Sequence, residues 1–312
     1  MQPITLILTT FNEEKTISKL LESILQQTIT PNEIIIVDAK SHDNTPKIIS
    51  DFQQKTKLPI KLITKKTNRS QGRNTAVSQA KNNIIAVTDA GCILGTHWLE
   101  RITKPLLQQK ADSVAGFYLT LTPTFLGKAI APFVATMPDN FNPDTYLPSS
   151  RSIAFSKQAW EKVGKYPEHL NYCEDLDFAK RIKANTNMVV RPRAIVYWSQ
   201  KQTYSSFFHQ IRNYAKGDVE AVYYPHIFKI MTVFARYMVF LLIPFIFPIY
   251  LLWPIFKHRK HVHLPLCFIY LPALQVTADV AVMFGFTEGI LNEIRYLLLT
   301  IFQRTPKTTI AS

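Results

Sequence analysis

The sequence predicts an α/β fold, a mostly parallel sheet with helices on both faces, and three observations predict it. Short runs that are apolar throughout, Ile34-Ile35-Ile36-Val37 and Ile84-Ile85-Ala86-Val87, recur in the first part of the chain. A strand buried on both faces has this pattern, whereas a half-solvated strand alternates. Between the runs, apolar residues return at helical spacing, most clearly at Ile17, Leu20, Leu21, Ile24 and Leu25. Successive runs end in polar side chains, Thr10, Asp38 and Asp89. Ligands of such sheets bind beyond the carboxyl ends of the strands, so these three mark one functional edge.

Taken in order, Ile4 to Leu8 is the first strand, and Thr10-Phe11-Asn12-Glu13 offers a capping box for the helix that follows. Pro31 closes that helix, Glu33 to Val37 is a second strand ending at Asp38, and Ile48, Ile49 and Phe52 mark the next helix. Asp38 has a second reading, as the anchor of the turn that starts Ala39-Lys40-Ser41. Ile60 to Thr64 is a third strand, Gly72 to Ala80 a helix, and Ile84 to Thr88 a fourth strand that delivers Asp89 into the turn Ala90-Gly91. From Leu121 to Pro148 the chain is rich in Pro, Phe and Thr, which predicts loops and short helices around a cleft. Arg151 to Phe155 resumes a strand, and Glu174, Asp175 and Asp177 stand just before the helical run Ala179 to Lys183. A helix N-terminus favours acids by roughly 0.3 to 1 kcal/mol each, but that does not call for three.

A chain of 312 residues suits one large domain with a smaller appendage, expected here as 1–225 and 226–312. Thirty-six Lys and Arg against 22 Asp and Glu give a net charge of +14, which favours anionic partners. The basic residues form no long arm, so charge alone does not argue for nucleic acid, and none is expected as a partner. Cys92, Cys173 and Cys267 lie far apart with no CxxC pair, which predicts neither a disulfide framework nor a cysteine zinc site. The opening MQPITLILTTFNEE is a strand of the fold rather than a leader, so the large domain is expected in the cytoplasm.

Tyr237 to Phe256 carries no charge over 20 residues, and Leu264 to Phe286 carries only Asp279. At about 1.5 Å per residue the first run can span a hydrocarbon core of about 30 Å. Two hydrophobic helices are therefore expected, at about 230–256 and 264–287, attached to the cell membrane. Pro244, Pro248 and Pro254 would interrupt the first. The basic loop Lys257 to His263 would sit on the far side of a two-span hairpin, against the positive-inside tendency. A spanning hairpin and one dipping into the cytoplasmic leaflet both remain open.

With these residues assembled, the chain from about 1 to 220 resembles the family 2 glycosyltransferases of the Rossmann-like GT-A fold. The resemblance is carried by LILTTFNEE, by EIIIVDAKSHDNT, by Gly72-Arg73-Asn74, by TDAGC with Trp98-Leu99, by Glu174 to Phe178 and by FFHQIRNYAKGD, all in the family's order. It implies that Thr10, Phe11 and Glu13 line a nucleotide-sugar pocket, that Asp38 hydrogen-bonds the base, and that Arg73 approaches the base or phosphates. Asp89 matches the first acid of the family's Asp-x-Asp metal motif, and Gly91 stands where the second is usual. A divalent cation, Mg²⁺ or Mn²⁺, is the implied cofactor, held by Asp89 with His209 as a candidate second ligand. Asp175 matches the base of an inverting displacement, with Glu174 beside it to position or bind the acceptor. Arg212 and Tyr214 resemble a degenerate Gln-x-x-Arg-Trp motif, candidates for acceptor or diphosphate contact. With the Trp absent, transfer of one sugar to a lipid-linked or glycan acceptor near the membrane is expected. The rival readings are a non-catalytic sugar-nucleotide-binding scaffold and a processive polysaccharide synthase. No GxGxxG follows the first strand, which sets aside a dinucleotide-dependent oxidoreductase.

Overall fold

The computed structural model describes residues 2–200, 202–262 and 265–304, which divide into two units, Met1–Lys201 and Gln202–Ser312. The division falls earlier than the expected 225, and the helix carrying His209 and Arg212 belongs to the second unit.

The first unit runs β1 (Ile4–Thr10), α1 (Ile17–Leu25), β2 (Glu33–Asp38), α2 (Thr45–Lys55), β3 (Ile60–Thr64), α3 (Arg69–Gln79), β4 (Ile84–Val87) and β5 (Cys92–Leu94). It continues with α4 (Trp98–Leu107), β6 (Ser113–Leu121), α5 (Phe125–Val134), β7 (Ile153–Ser156), α6 (Lys157–Lys162), α7 (Glu174–Asn185) and β8 (Met188–Ser199). The strands form one mixed sheet in the order β3-β2-β1-β4-β7-β6-β8-β5. β1, β2, β3 and β4 pair in parallel, in keeping with the apolar runs of β2 and β4, while β7 turns antiparallel against β4 and β6.

The pleat of β1 separates two cores. Leu6 and Leu8 pack with residues of α1, α2 and α4, and Ile7 packs with Ala76 and Val77 of α3, Trp160 of α6 and Phe178 of α7. Both faces are covered, which is why the strand runs show no polar alternation. Because β2 and β4 lie on opposite sides of β1, the loops after β1 and β4 part there, the place where open α/β sheets leave a crevice.

Three local expectations change. Thr10 ends β1 and caps nothing; α1 begins at Ile17 after Thr16, with no side-chain cap, because the Glu13 carbonyl already accepts the amides of Thr16 and Ile17. β6, nine residues long and leading into the Leu121–Pro148 segment, and its partner β8, a twelve-residue strand, were both absent from the sequence reading. β8 holds Arg191-Pro192-Arg193, which hides the pattern, and its register against β6 shifts between Ala115 and Phe117.

The second unit contains α8 (Tyr204–Glu220), α9 (Tyr224–Leu242), α10 (Ile246–His258) and α11 (Cys267–Arg304). The expected helix at about 230–256 is two helices, broken at Ile243-Pro244-Phe245, since Pro244 lacks the amide that would continue the ladder. α8 and α11 approach closely at Gly285, where an added Cβ would fall on the Arg212 carbonyl. Asp279, 3% exposed, is satisfied by the hydroxyls of Tyr237 (3.3 Å) and Tyr250 (2.6 Å) and by Gln275 Nε2 (2.9 Å), tying α9, α10 and α11 together. A buried acid among apolar helices needs such partners. Only 11% of α9 is buried, and Leu241, Leu242 and Phe245 are 76%, 80% and 73% exposed. The core helix of a soluble domain would be mostly covered.

Candidate active site

The loops after β1 and β2 are sewn to each other at the carboxyl edge of the sheet. Thr10 pairs with Asp38 in register, the Asn12 amide donates to Ser41 Oγ at 2.8 Å, and Asn12 Oδ1 accepts the His42 amide at 2.8 Å. Asn12 has φ 55, a left-handed turn that Asn tolerates better than most residues. This leaves Phe11 half exposed, with its ring edge-on to His42 at 6.1 Å, an aromatic surface open at the sheet edge. The Asp38 carboxylate accepts from the Ser41 amide (3.0 Å) and from Ser41 Oγ (2.5 Å), so its turn-anchoring reading is realised. Each carboxylate oxygen has two acceptor sites, which leaves capacity for a ligand. Glu13 accepts from the Thr16 hydroxyl, while its amide donates to Thr45 Oγ1 at 2.8 Å. Thr10 Oγ1 is buried with no partner, the kind of orphan that a ligand can satisfy.

α3 brings Arg73 to the centre. Gly72 lets that helix press on β1: an added Cβ would stand 2.7 Å from Thr9 Cγ2, too close for any other residue. Arg73, 2% exposed, donates through Nη2 to Asp89 at 2.9 Å and through Nη1 to Glu174 at 2.8 Å. Its guanidinium also stands 5.4 Å from the Tyr166 ring, which stacks on Phe178 at 3.9 Å. Arg73 was expected at the base or phosphates; its two terminal nitrogens hold two carboxylates. The clamp joins Asp89, just past β4, to the first turn of α7, and Arg73 itself is 101 positions from Glu174.

The start of α7 is set by Cys173, whose φ of 57 places a non-glycine residue in the left-handed region immediately before Glu174-Asp175. Such a conformation costs of the order of 1–3 kcal/mol and persists where the surroundings impose it. Glu174 turns inward to Arg73, Asp177 pairs with Arg181 at 2.8 Å, and Asp175 is left between them. Burial, then the Glu174 charge, push the Asp175 carboxyl above its usual range, against the pull of Arg151 and Arg73. At Asp89 burial works upward too, but Arg73 and Arg151 together hold the carboxyl below its usual range. The two acids are thus driven apart in pKa, the pattern that separates a permanent anion from a proton acceptor. Cys92 of the same turn is buried and its thiol is pushed up to about 12, so it remains protonated at neutral pH.

Arg151 was not among the residues singled out from the sequence, and it belongs here. It lies between aromatic rings, 5.0 Å from the centre of Tyr118 and 4.0 Å from that of Trp198, with Nη1 donating to Ser149 Oγ at 3.1 Å. A lone Arg within Ser149-Ser150-Arg151-Ser152, directly before an apolar strand, was the available signal. His209, Arg212 and Tyr214 are all on α8, where Arg212 pairs with Glu288 and Tyr214 accepts from Gln210 Nε2 at 2.8 Å.

For a divalent cation the donor set is thin. Among the described residues no three His, Cys, Asp or Glu side chains gather as a metal site, Gly91 brings no carboxylate, and Arg73 takes one oxygen of Asp89. The remaining Asp89 oxygen fits a hard cation only where phosphate oxygens and water complete the shell, as Mg²⁺ often requires.

Residues 5–148 match the model of glycosyl transferase family 2. Glycosyltransferase AglE of Haloferax volcanii is 26% identical over 192 residues, 57% of this chain and 60% of that protein. The UDP-Glc:alpha-D-GlcNAc-diphosphoundecaprenol beta-1,3-glucosyltransferase of Escherichia coli is 30% identical over 132 residues, 41% of this chain and 51% of that protein. The matches thus cover a little over half of these relatives' lengths. Among solved structures, the mannosyltransferase of Pyrobaculum calidifontis in complex with GDP-Man and Mn²⁺ superposes with a TM-score of 0.54 at 17% identity, over 93% of this chain and 73% of that one. At that identity the likeness shows the shared GT-A fold.

Proposed function

Because the chain belongs to glycosyl transferase family 2 through residues 5–148, we propose that it is an inverting glycosyltransferase that moves a single sugar from a nucleotide-sugar donor to a lipid-linked or glycan acceptor at the cytoplasmic face of the membrane. One observation carries the reading. At the carboxyl edge of the sheet Arg73 holds Asp89, on the β4 side where a donor would lie, and Glu174, at the start of α7, within one ion-paired cluster beside Asp175. A scaffold that only bound a sugar nucleotide would have no use for a second, proton-accepting carboxylate. The E. coli relative, named for a diphosphoundecaprenol-linked sugar acceptor, supports the lipid-linked class.

In the proposed reaction the acceptor hydroxyl attacks the anomeric carbon, the bond from that carbon to the diphosphate oxygen breaks, and its electron pair leaves with the nucleoside diphosphate. Asp175 takes the hydroxyl proton; its raised pKa brings it nearer to the operating pH, where general bases are most effective. Phe11 offers its ring to the base, Thr10 Oγ1 and Asp38 offer polar contacts to the nucleoside, and Arg73 acts as a positioning residue that fixes Asp89 and Glu174. Asp89 would hold a Mg²⁺ or Mn²⁺ ion together with the donor's phosphates, and the ion supplies charge neutralisation of the leaving group.

Membrane attachment is assigned to α9, α10 and α11. α9 and the stretch Cys267–Arg295 of α11 are long and apolar enough to cross a membrane by length and composition. The break at Pro244 and the exposed Leu241, Leu242 and Phe245 around it favour an α9–α10 hairpin that enters the lipid by its tip.

The test is hydrolysis of a panel of nucleotide sugars by the detergent-solubilised chain, with Mn²⁺, with Mg²⁺ and with chelator. Release of one nucleoside diphosphate names the donor. Release from none of them, combined with unaltered nucleotide binding in Asp175→Asn and parent alike, would return the chain to the scaffold reading.

A further inference from the structure

The Asp89-Ala90-Gly91 turn and Arg151 meet across a single ring. Trp198 is the register partner of Cys92, and the Ser199 amide donates to the Gly91 carbonyl at 3.0 Å, so the end of β8 lies along the turn. Among the described residues, and apart from its chain neighbours, a Cβ built on Gly91 comes within 4 Å of Trp198 Cδ1 alone, at 4.0 Å. The same indole carries the Arg151 guanidinium at 4.0 Å, and Tyr118, two strand positions from Thr120, the register partner of Trp198, holds it at 5.0 Å. Where a second acid would project, the space is open and bordered by a ring that bears a cation.

We propose that Arg151 binds the diphosphate of the donor and receives the negative charge that develops on it as the sugar leaves, in place of part of the charge that a metal held by two acids would bring. The proposal rests on the glycosyltransferase reading above and names a residue of that same site. The glycine at position 91 and the guanidinium on the ring that borders it are then two parts of one arrangement. An anion at 91 would compete with phosphate for Arg151; a glycine does not. The planar fork of donors suits two phosphate oxygens at once, and its aromatic seat fixes its orientation before the ligand arrives, which is what transition-state stabilisation by a fixed charge requires. Asp89 and Asp175 both feel the Arg151 charge.

The experiment measures binding of UDP, GDP, CDP and dTDP to the full chain in detergent by calorimetry, each with excess chelator and with Mn²⁺. Parent, Arg151→Gln, Arg151→Lys, Gly91→Asp and the Gly91→Asp/Arg151→Gln double variant are compared, with melting temperature recorded for each. The parent should bind one diphosphate in chelator. Arg151→Gln should weaken that binding roughly 10- to 100-fold, the range for losing hydrogen bonds to a charged group, while the matching nucleoside competes equally against both. Arg151→Lys, which keeps the charge without the fork, should fall between them and serves as the readout if the Gln variant melts early. In the double variant binding should return with Mn²⁺ and not with chelator. Equal diphosphate affinity in parent, Arg151→Gln and Arg151→Lys overturns the role of Arg151 and leaves the enzyme reading standing. A parent that binds none of the four under any condition overturns the donor reading, and the role of Arg151 with it.

Discussion

Replacing Arg73 with Met isolates the energetics of the site, because Met keeps most of the volume and removes both charge-assisted hydrogen bonds. Removing one partner of a buried ion pair costs about 3–5 kcal/mol, most of it the penalty of the charge left behind. Here two charges are stranded, and they are not equivalent: the Glu174 side chain is 5% exposed and that of Asp89 is 27%. Asp89 can regain water, so Glu174 carries the larger share. In a unit of about 200 residues 1 kcal/mol corresponds to roughly 2–4 °C, so the melting temperature should fall by roughly 6–20 °C at neutral pH. Trp98 and Trp160, buried in the first unit, report this by intrinsic fluorescence of the detergent-solubilised chain. Adding Glu174→Gln to Arg73→Met should recover more of the loss than adding Asp89→Asn. The pH dependence has a definite sign. Asp89 has a lowered folded pKa, so the unfolded chain binds more protons and the stability Asp89 contributes is complete above about pH 4 and lost as pH falls through the folded value. The gap between parent and Arg73→Met should therefore narrow in acid. A fall of less than 2 °C at neutral pH, or equal rescue by the two second substitutions, would refute the ion-pair account.

Asp175→Asn should lower transfer by roughly 10²–10⁴-fold, the usual contribution of a general base, and also raise the melting temperature at neutral pH. With its pKa raised, Asp175 binds more protons folded than unfolded, so its ionisation opposes folding as pH rises above the usual carboxylate value, and the amide removes that cost; a variant that is both active and less stable contradicts the base assignment. Gly91→Asp should bind Mn²⁺ more tightly than the parent in equilibrium dialysis with nucleoside diphosphate present, since a Cβ added at Gly91 stands at an ordinary contact distance of 4.0 Å from Trp198 Cδ1; unchanged Mn²⁺ affinity would show that position 91 does not face the ligand. Leu241→Glu with Leu242→Glu should cut co-flotation with anionic vesicles without changing the melting temperature, because both side chains are exposed; retained flotation would move the attachment away from the hairpin tip.

The local half of this protein was legible in its sequence. Runs such as Ile34 to Val37 have no polar face, so they had to become strands covered on both sides, and the acids that end them had to emerge at the one edge helices do not cover. Thr10, Asp38 and Asp89 were found by that reasoning, and so was the Glu174-Asp175 pair, because each is marked by its neighbours in the chain. β6 and β8 escaped it. Their pairing is between distant segments, and β8 is disguised by the Pro192 step, so only the sheet makes them strands. The length of the uncharged run was legible, whereas its division at Pro244 followed from where the helical ladder failed.

What the sequence determined by itself is the layered α/β fold and the identity of the acids at its carboxyl edge, because hydrophobic period and strand ends are properties of near neighbours. What only the tertiary structure decided is which charge meets which. Arg73, expected at the base or phosphates, pairs with Asp89 and with Glu174, which is 101 positions from Arg73 in the chain, while Arg151, not singled out in the sequence, lies against the rings of Tyr118 and Trp198, the second of which borders Gly91. The physical reason is that an ion pair depends on distance in space and on burial, and neither is encoded in the spacing of residues along a strand.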